Sequence, residues 1–171
     1  TIISKANNST AFATEQVNAF FLAQEGLELA QKGRDDLLLR YFERQINGTG
    51  GLANPLVQFE LDYPGCFAAT GCGLTIGDTA GAVVVDQPCS STSCLLYTNT
   101  TSGTVRSVYT HTVAGNTLTP FTRVVKIEKI MFGTKVQEYK VTSTVTWRTG
   151  SLIAGQKVEL VTYLANVYDT N

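Results

Sequence analysis

The chain has 171 residues, of which 43% are hydrophobic and 16% are charged, and its formal net charge is -1. This length is typical of one domain with a sizeable buried core. Because there is no basic excess to pair with phosphates, the charge excludes an electrostatic nucleic-acid binder. The sequence also lacks an apolar run of about eighteen residues or more, the length that a transmembrane helix requires.

Residues 9–45 carry one continuous helical pattern without a proline, which predicts a helix of about 55 Å. Steps of three and four keep residues on one helix face, and small residues recur along this segment in such steps: Ala19, Ala23, Gly26, Ala30 and Gly33. The stripe indicates close approach of another element to the helix backbone. Glu28 and Lys32 are spaced for an ion pair, and the glycines of "INGTGG" (46–51) are expected to end the helix.

Residues 52–116 read as irregular, contain all four cysteines, and include short strand candidates at 82–85, 94–98 and 105–110. Three longer runs follow at 121–132, 135–148 and 156–168, with β-branched residues or alternation typical of strands. Short turns between them predict an antiparallel meander. The fold class is therefore α+β: one long N-terminal helix packed on an antiparallel β-meander of three to four strands, with the irregular cysteine-containing region between them.

This reading divides the chain into an N-terminal helix, residues 1–47, and a globular head, residues 48–171. We expect Tyr139 and Trp147 to share one strand face and to pack on the helix near Leu37 and Tyr41. A sheet three or four strands wide is expected to cover only the lower part of the small stripe. The upper part is expected to remain free for another helix and to act in assembly: Ala19, Ala23 and Gly26.

The segment "AFFLAQEGLELAQKGRD" (19–35) resembles the helix of type IV pilin-like proteins just beyond their membrane segment, most closely in minor pilins. Four later segments resemble the successive sheet strands of the same group: "LYTNTTSG" (96–103), "TPFTRVVKI" (119–127), "VTSTVTW" (141–147) and "VELVTYLAN" (158–166). The resemblance covers most of the chain. Two features depart from it, because the cysteines lie in the middle of the chain and Val167 stands where an aromatic residue is expected.

The resemblance implies a leader that a dedicated peptidase removes, a methylated N-terminus, and an apolar helix that anchors the subunit in the membrane before it enters a filament. We expect these segments to precede the present sequence. The partners implied are other pilin subunits, bound through the N-terminal helix, and a possible cell-surface ligand. The location implied is the cell surface, with membrane contact only through the preceding helix.

Cys66, Cys72, Cys89 and Cys94 form two closely spaced pairs, and an even count in an exported chain favours disulfides. Three connectivities are possible. We favour Cys66–Cys72 with Cys89–Cys94, since short loops close at the least entropic cost. The alternative is a zinc site with four cysteine ligands, whose usual spacing the first pair exceeds.

Other chemistry is weakly indicated. His111 has no sequence context of a catalytic triad and is predicted to lie at the surface. Asp35 and Asp36 are adjacent on a helix and point in different directions, unlike a paired-carboxylate site. Asp62, Asp78 and Asp86 show no calcium-ligand repeat. We therefore expect no catalytic site, no metal and no cofactor.

The leading hypothesis is a structural subunit of a type IV pilus or related filament, whose head is displayed outward for adhesion, motility or DNA uptake. A second hypothesis is a pseudopilin of a type II secretion system, although the C-terminal calcium loop of its major subunit is not evident. A third, of a different class, is a soluble adhesin or binding module outside any filament. An enzyme is the least favoured class.

Overall fold

The computed structural model describes residues 2–48, 54–77, 84–89, 94–99, 109–149 and 155–166. The described residues form three helices, α1 (Ile2–Ile46), α2 (Pro55–Asp62) and α3 (Pro64–Phe67). They also form seven strands: β1 (Cys72–Ile76), β2 (Val84–Pro88), β3 (Leu95–Asn99), β4 (Tyr109–Thr110), β5 (Asn116–Phe132), β6 (Lys135–Trp147) and β7 (Gln156–Ala165). The predicted α+β class, with a long helix packed on an antiparallel sheet, is confirmed.

Helix α1 contains 45 residues and would extend about 68 Å. It begins before residue 9, where the sequence pattern placed its start, and it ends as predicted at Ile46. The amide of Asn47 still donates to the carbonyl of Glu43 at 3.0 Å. Gly48 then takes a φ of 66°, which glycine adopts without strain.

The seven strands belong to one sheet, and every pairing in it is antiparallel. The longest strand, β5, pairs along one edge with β3 and with β1, and along its other edge with β6, which in turn pairs with β7. The predicted meander is therefore β5–β6–β7. The described strands exceed the expected three to four because β1, β2, β3 and β4 extend the same sheet.

Within residues 52–116, the short strands predicted at 82–85, 94–98 and 105–110 overlap β2, β3 and β4, whereas α2, α3 and β1 lie where the sequence reads as irregular. A local signal for α2 is present in the sequence. The Asn54 side chain accepts a hydrogen bond from the amide of Leu56 at 3.0 Å, and Pro55 occupies the first helical position. Parts of the predicted strands, at 82–83, 105–108 and 167–168, lie outside the described residues.

The core consists of two clusters along α1. The lower cluster joins Leu37 of α1 to Phe59 of α2 and Tyr139 of β6. The upper cluster joins the other end of the buried helix face to Phe121 of β5 and Trp147 of β6. Tyr139 and Trp147 are both buried on one face of β6, as predicted, but Trp147 does not lie near Leu37 because β6 runs along the helix and carries it to the opposite end.

Both predicted disulfides are present. Cys66–Cys72 has a Cα separation of 4.5 Å and Cys89–Cys94 one of 5.4 Å, and no cysteine is free. The alternative of a four-cysteine zinc site is wrong, because all four sulfurs are engaged in disulfides. The first bridge links α3 to the start of β1, and the second joins the residue after β2 to the residue before β3.

We predict that Trp147→Ala will lower the free energy of unfolding by about 3–5 kcal/mol, since it empties a buried site against Phe121. The matched control is Tyr163→Ala, which removes an exposed aromatic ring from the neighbouring strand and should cost less than about 0.5 kcal/mol. Urea denaturation of both variants measures the difference. Equal stabilities would contradict the assigned burial of Trp147.

Candidate assembly interface

Helix α1 has one face buried under the chain's own sheet. The buried positions follow helical spacing and include the whole predicted small stripe together with three leucines beside it: Ala19, Leu22, Ala23, Gly26, Leu29, Ala30, Gly33 and Leu37. Contacts reach β5, β6, β7 and α2. The stripe therefore docks the helix within the subunit.

The glycines of this face permit the closest approach. A Cβ atom at Gly26 would overlap the hydroxyl of Ser143 on β6 and lie 3.2 Å from Cδ of Arg123. At Gly33 it would lie 2.8 Å from the hydroxyl of Tyr63. Larger residues at either position would push the helix away from the sheet or from Tyr63.

This arrangement overturns the expected exposure of Ala19, Ala23 and Gly26, all of which are buried by β-strands of the same chain. The width of the sheet does not limit how much of the helix is covered. The strands instead run along the helix, so strand length decides the coverage. The eight residue steps from Tyr139 to Trp147 span about 26 Å of strand, and the eighteen helical steps from Ala19 to Leu37 span about 27 Å.

Arg123 is fully buried between α1 and the sheet. Its guanidinium donates to the Glu25 carboxylate at 2.5 Å, to the Leu22 carbonyl at 3.3 Å and to the Leu74 carbonyl at 2.9 Å. Burial lowers the pKa of Arg123, whereas the charge of Glu25 opposes that shift. A single side chain thus links α1, β1 and β5, and removing its carboxylate partner would leave a buried charge uncompensated.

His111 is buried, so its predicted surface position is wrong. Its Nδ1–H donates to the carbonyl of Leu95 at 3.0 Å, and the ring lies against Gly73, where a Cβ atom would come within 2.7 Å of it. Burial, followed by the nearby charge of Arg123, lowers the pKa of His111 to about 4, while the Leu95 hydrogen bond acts in the opposite direction. The imidazole is therefore neutral at pH 7.

The opposite face of α1 is exposed. At 100° per residue, six large apolar side chains lie within about 60° of one line on this face, and all six are exposed: Val17, Phe20, Phe21, Leu39, Phe42 and Ile46. We call this set the outer face. Its two apolar groups are separated by polar residues at 24, 28, 31 and 35. The outer face is therefore an exposed apolar surface of the helix.

The charged residues of α1 pair differently from the prediction. Glu28 accepts a hydrogen bond from Gln24 at 3.0 Å, and Lys32 forms its ion pair with Asp36 at 2.8 Å, so the expected Glu28–Lys32 pair is replaced. Asp35 pairs with Arg34 at 2.7 Å. These bonds are all local to the helix.

Metal ligation finds no support in the described part of the chain. It contains no group of three or more His, Cys, Asp or Glu residues placed to hold an ion. Asp62 accepts a hydrogen bond from Gln58 at 2.6 Å. Asp78 and the side chain of Asp86 lie outside the described residues.

Comparison with protein-family models, with curated proteins and with solved structures finds no match for this chain. Within the described residues, none of the helices combines the length and the apolar character needed to cross a membrane.

We predict that Gly26→Ala will destabilise the subunit, although alanine favours helix by about 1 kcal/mol over glycine. The added methyl group overlaps the Ser143 hydroxyl, and overpacking of this kind costs about 1–3 kcal/mol. Ser143→Ala alone should cost little, because its buried Oγ has no hydrogen-bond partner in the described structure. The double variant should regain about 1–2 kcal/mol of the loss, as a double-mutant cycle would measure. Strict additivity would refute the close contact.

We predict that stability will fall between pH 6.5 and about 4 through protonation of His111. Between these pH values the histidine of the unfolded chain, with a pKa of 6.5, is protonated, whereas His111 of the folded chain, with a pKa of about 4, stays neutral. This contribution is complete above pH 6.5 and is lost as the pH falls, by roughly 3 kcal/mol in total. Carboxylates titrate equally in His111→Gln, so the difference in pH dependence between the two proteins isolates the imidazole. Parallel curves would show that His111 is not buried in its neutral form.

Proposed function

We propose that this chain is a structural subunit of a filament of the type IV pilus class, assembled through helix α1. The observation that carries the proposal is the division of α1 into two opposite faces. One face is buried against the chain's own sheet. The outer face presents two exposed apolar groups over residues 17–46, a span of about 44 Å. A helix with this arrangement is suited to packing against helices of further copies.

The partner that fits the outer face is a second copy of the same helix. On the outer face, a polar section separates the apolar group near Phe21 from the apolar group near Phe42. Contiguous exposed apolar patches often mark interaction sites. A helix of a neighbouring copy offers the same alternation of apolar and polar sections, so staggered copies bury aromatic groups against each other without burying the polar section.

The sequence resemblance to type IV pilin-like proteins supports the same reading, because residues 19–35, which carry it, lie on this helix. The contact between Thr149 and Glu15 holds the helix to the head at its upper end. Residues from Thr10 to Val17 are largely exposed there. The proposed assembly residues are consequently those of the outer face, in place of Ala19, Ala23 and Gly26.

The disulfides support a location outside the cytosol. Two short-range disulfides with no free cysteine are typical of oxidising compartments. We propose that the head is displayed at the cell surface, where adhesion, motility and DNA uptake are the activities that such filaments serve.

We predict that Phe21→Ser will abolish or strongly reduce surface filaments while leaving the melting temperature of the 171-residue chain within about 2 °C, since the removed ring is exposed in the isolated subunit. Filaments are quantified from cells expressing the full-length gene by shearing and immunoblotting, with incorporation verified by electron microscopy. The matched control is Val161→Ser, which removes an exposed apolar side chain from β7.

Two outcomes would contradict the proposed function. One is a normal yield of filaments in which the Phe21→Ser subunit is demonstrably incorporated. The other comes from the gene itself, where the proposal requires a leader ending in glycine followed by about twenty apolar residues upstream of the present sequence. An upstream sequence without that apolar segment would favour the soluble binding module.

A further inference from the structure

The hairpin formed by β5 and β6 projects from the sheet as a two-stranded ribbon. Pairing of β6 with β7 starts at Glu138, and the strand pairing of β1 with β5 is at Val125, well before the turn. Between residues 131 and 136 the described chain provides no third strand. A register shift leaves Gln137 unpaired within the hairpin, and bulges of this kind twist and redirect a strand end.

The end of this ribbon is apolar. Met131 is 49% exposed and Phe132 is 78% exposed, directly before the turn at Gly133, whose φ of 61° suits glycine. Hairpin turns are usually built from polar residues and glycine. These two large apolar side chains are exposed at the tip and belong to neither core cluster.

Lysines are concentrated around the same tip. Four of the seven lysines of the chain lie between residues 126 and 140, together with two glutamates, so this segment carries a charge of +2 in a chain whose net charge is -1. The four lysines are Lys126, Lys129, Lys135 and Lys140. Three of them pair with carboxylates, since Lys126 and Lys140 contact Glu128 at 3.2 and 3.9 Å and Lys129 contacts Glu60. The concentration of positive charge is thus local and coincides with the exposed apolar side chains.

We propose that the β5–β6 tip inserts into the interface of a lipid bilayer that contains anionic phospholipids. Phe132 and Met131 enter the boundary between headgroups and acyl chains, and the flanking lysines contact the anionic headgroups. Long lysine stems reach polar headgroups while their methylene groups remain beside apolar surface. This inference does not depend on filament assembly.

The shape of the tip favours lipid over a protein partner. A specific protein interface buries about 800 Å² on each side, and a two-residue turn at the end of a two-stranded ribbon presents far less. A bilayer needs no shape complementarity and accepts a convex apolar tip.

The first test is flotation of the 171-residue chain with vesicles of phosphatidylcholine alone and with vesicles containing roughly three parts in ten of phosphatidylglycerol, an anionic fraction chosen to give a negative surface potential. We expect recovery with the anionic vesicles and at least tenfold less with the neutral ones. The double variant Met131→Ser/Phe132→Ser should lose at least tenfold of the vesicle-bound fraction. Lys135→Gln should lose severalfold and show weaker salt dependence.

Matched control variants distinguish binding through the tip from non-specific binding to vesicles. Leu118→Ser removes an exposed apolar side chain from the opposite end of β5, and Lys157→Gln removes an exposed lysine from β7; both should bind as the unaltered chain does. A second readout is Phe132→Trp, whose fluorescence should shift to the blue and be quenched by brominated lipid. The natural Trp147 is buried and should not respond.

The proposal is overturned if the unaltered chain fails to float with anionic vesicles, or if the tip variants bind as well as the controls. It is also overturned if the tip mediates self-association instead, which would appear in analytical ultracentrifugation as a dimer that the Met131→Ser/Phe132→Ser variant loses without any vesicle binding. Circular dichroism melts of each variant establish that the fold is retained, and Lys135→Gln provides a test of the charge alone should the double variant fail to fold.

Discussion

The close contact between the backbone of α1 and the sheet at Gly26 is the constraint on which the rest of the structure depends. It brings the helix near enough for the guanidinium of Arg123, rooted in β5, to reach Glu25 and the carbonyl of Leu22 while also bonding Leu74 of β1. A fully buried cation is tolerated only with such compensation. The glycine is thus what allows a charged side chain to join three elements in the core.

The same contact sets the electrostatics of the neighbouring site and divides the surfaces of the helix. The Arg123 charge disfavours a second positive charge and so contributes to keeping His111 neutral. Because the sheet covers the small stripe, the exposed apolar side chains of α1 lie on its outer face. Its aromatic residues are exposed in the isolated subunit, and the proposed assembly would cover them.

Features determined by neighbouring residues could be predicted from the sequence. The helix and its end at Ile46, the meander and both disulfides follow from periodicity, from glycine and from short loop closure. Features determined by distant residues could not. The burial of Arg123 and His111 depends on partners about 100 and 16 residues away along the chain. An arginine in an alternating strand gives no sign that a carboxylate from a distant helix will pair with it. The helix α2 was missed although its Asn-Pro start was visible.

A stripe of small residues specifies that something approaches closely, but it does not specify what. In α1 the sequence alone is compatible with a neighbouring helix or with the chain's own sheet, and both readings predict the same glycines and alanines. The lengths of the two elements favour the chain's own sheet over a neighbouring helix. The buried part of β6 extends about 26 Å, and the stripe from Ala19 to Leu37 extends about 27 Å. Equal lengths leave no small residue uncovered, so the bare backbone serves folding. The exposed aromatic residues of α1 lie on the other side of the helix, and the proposed assembly would use that side.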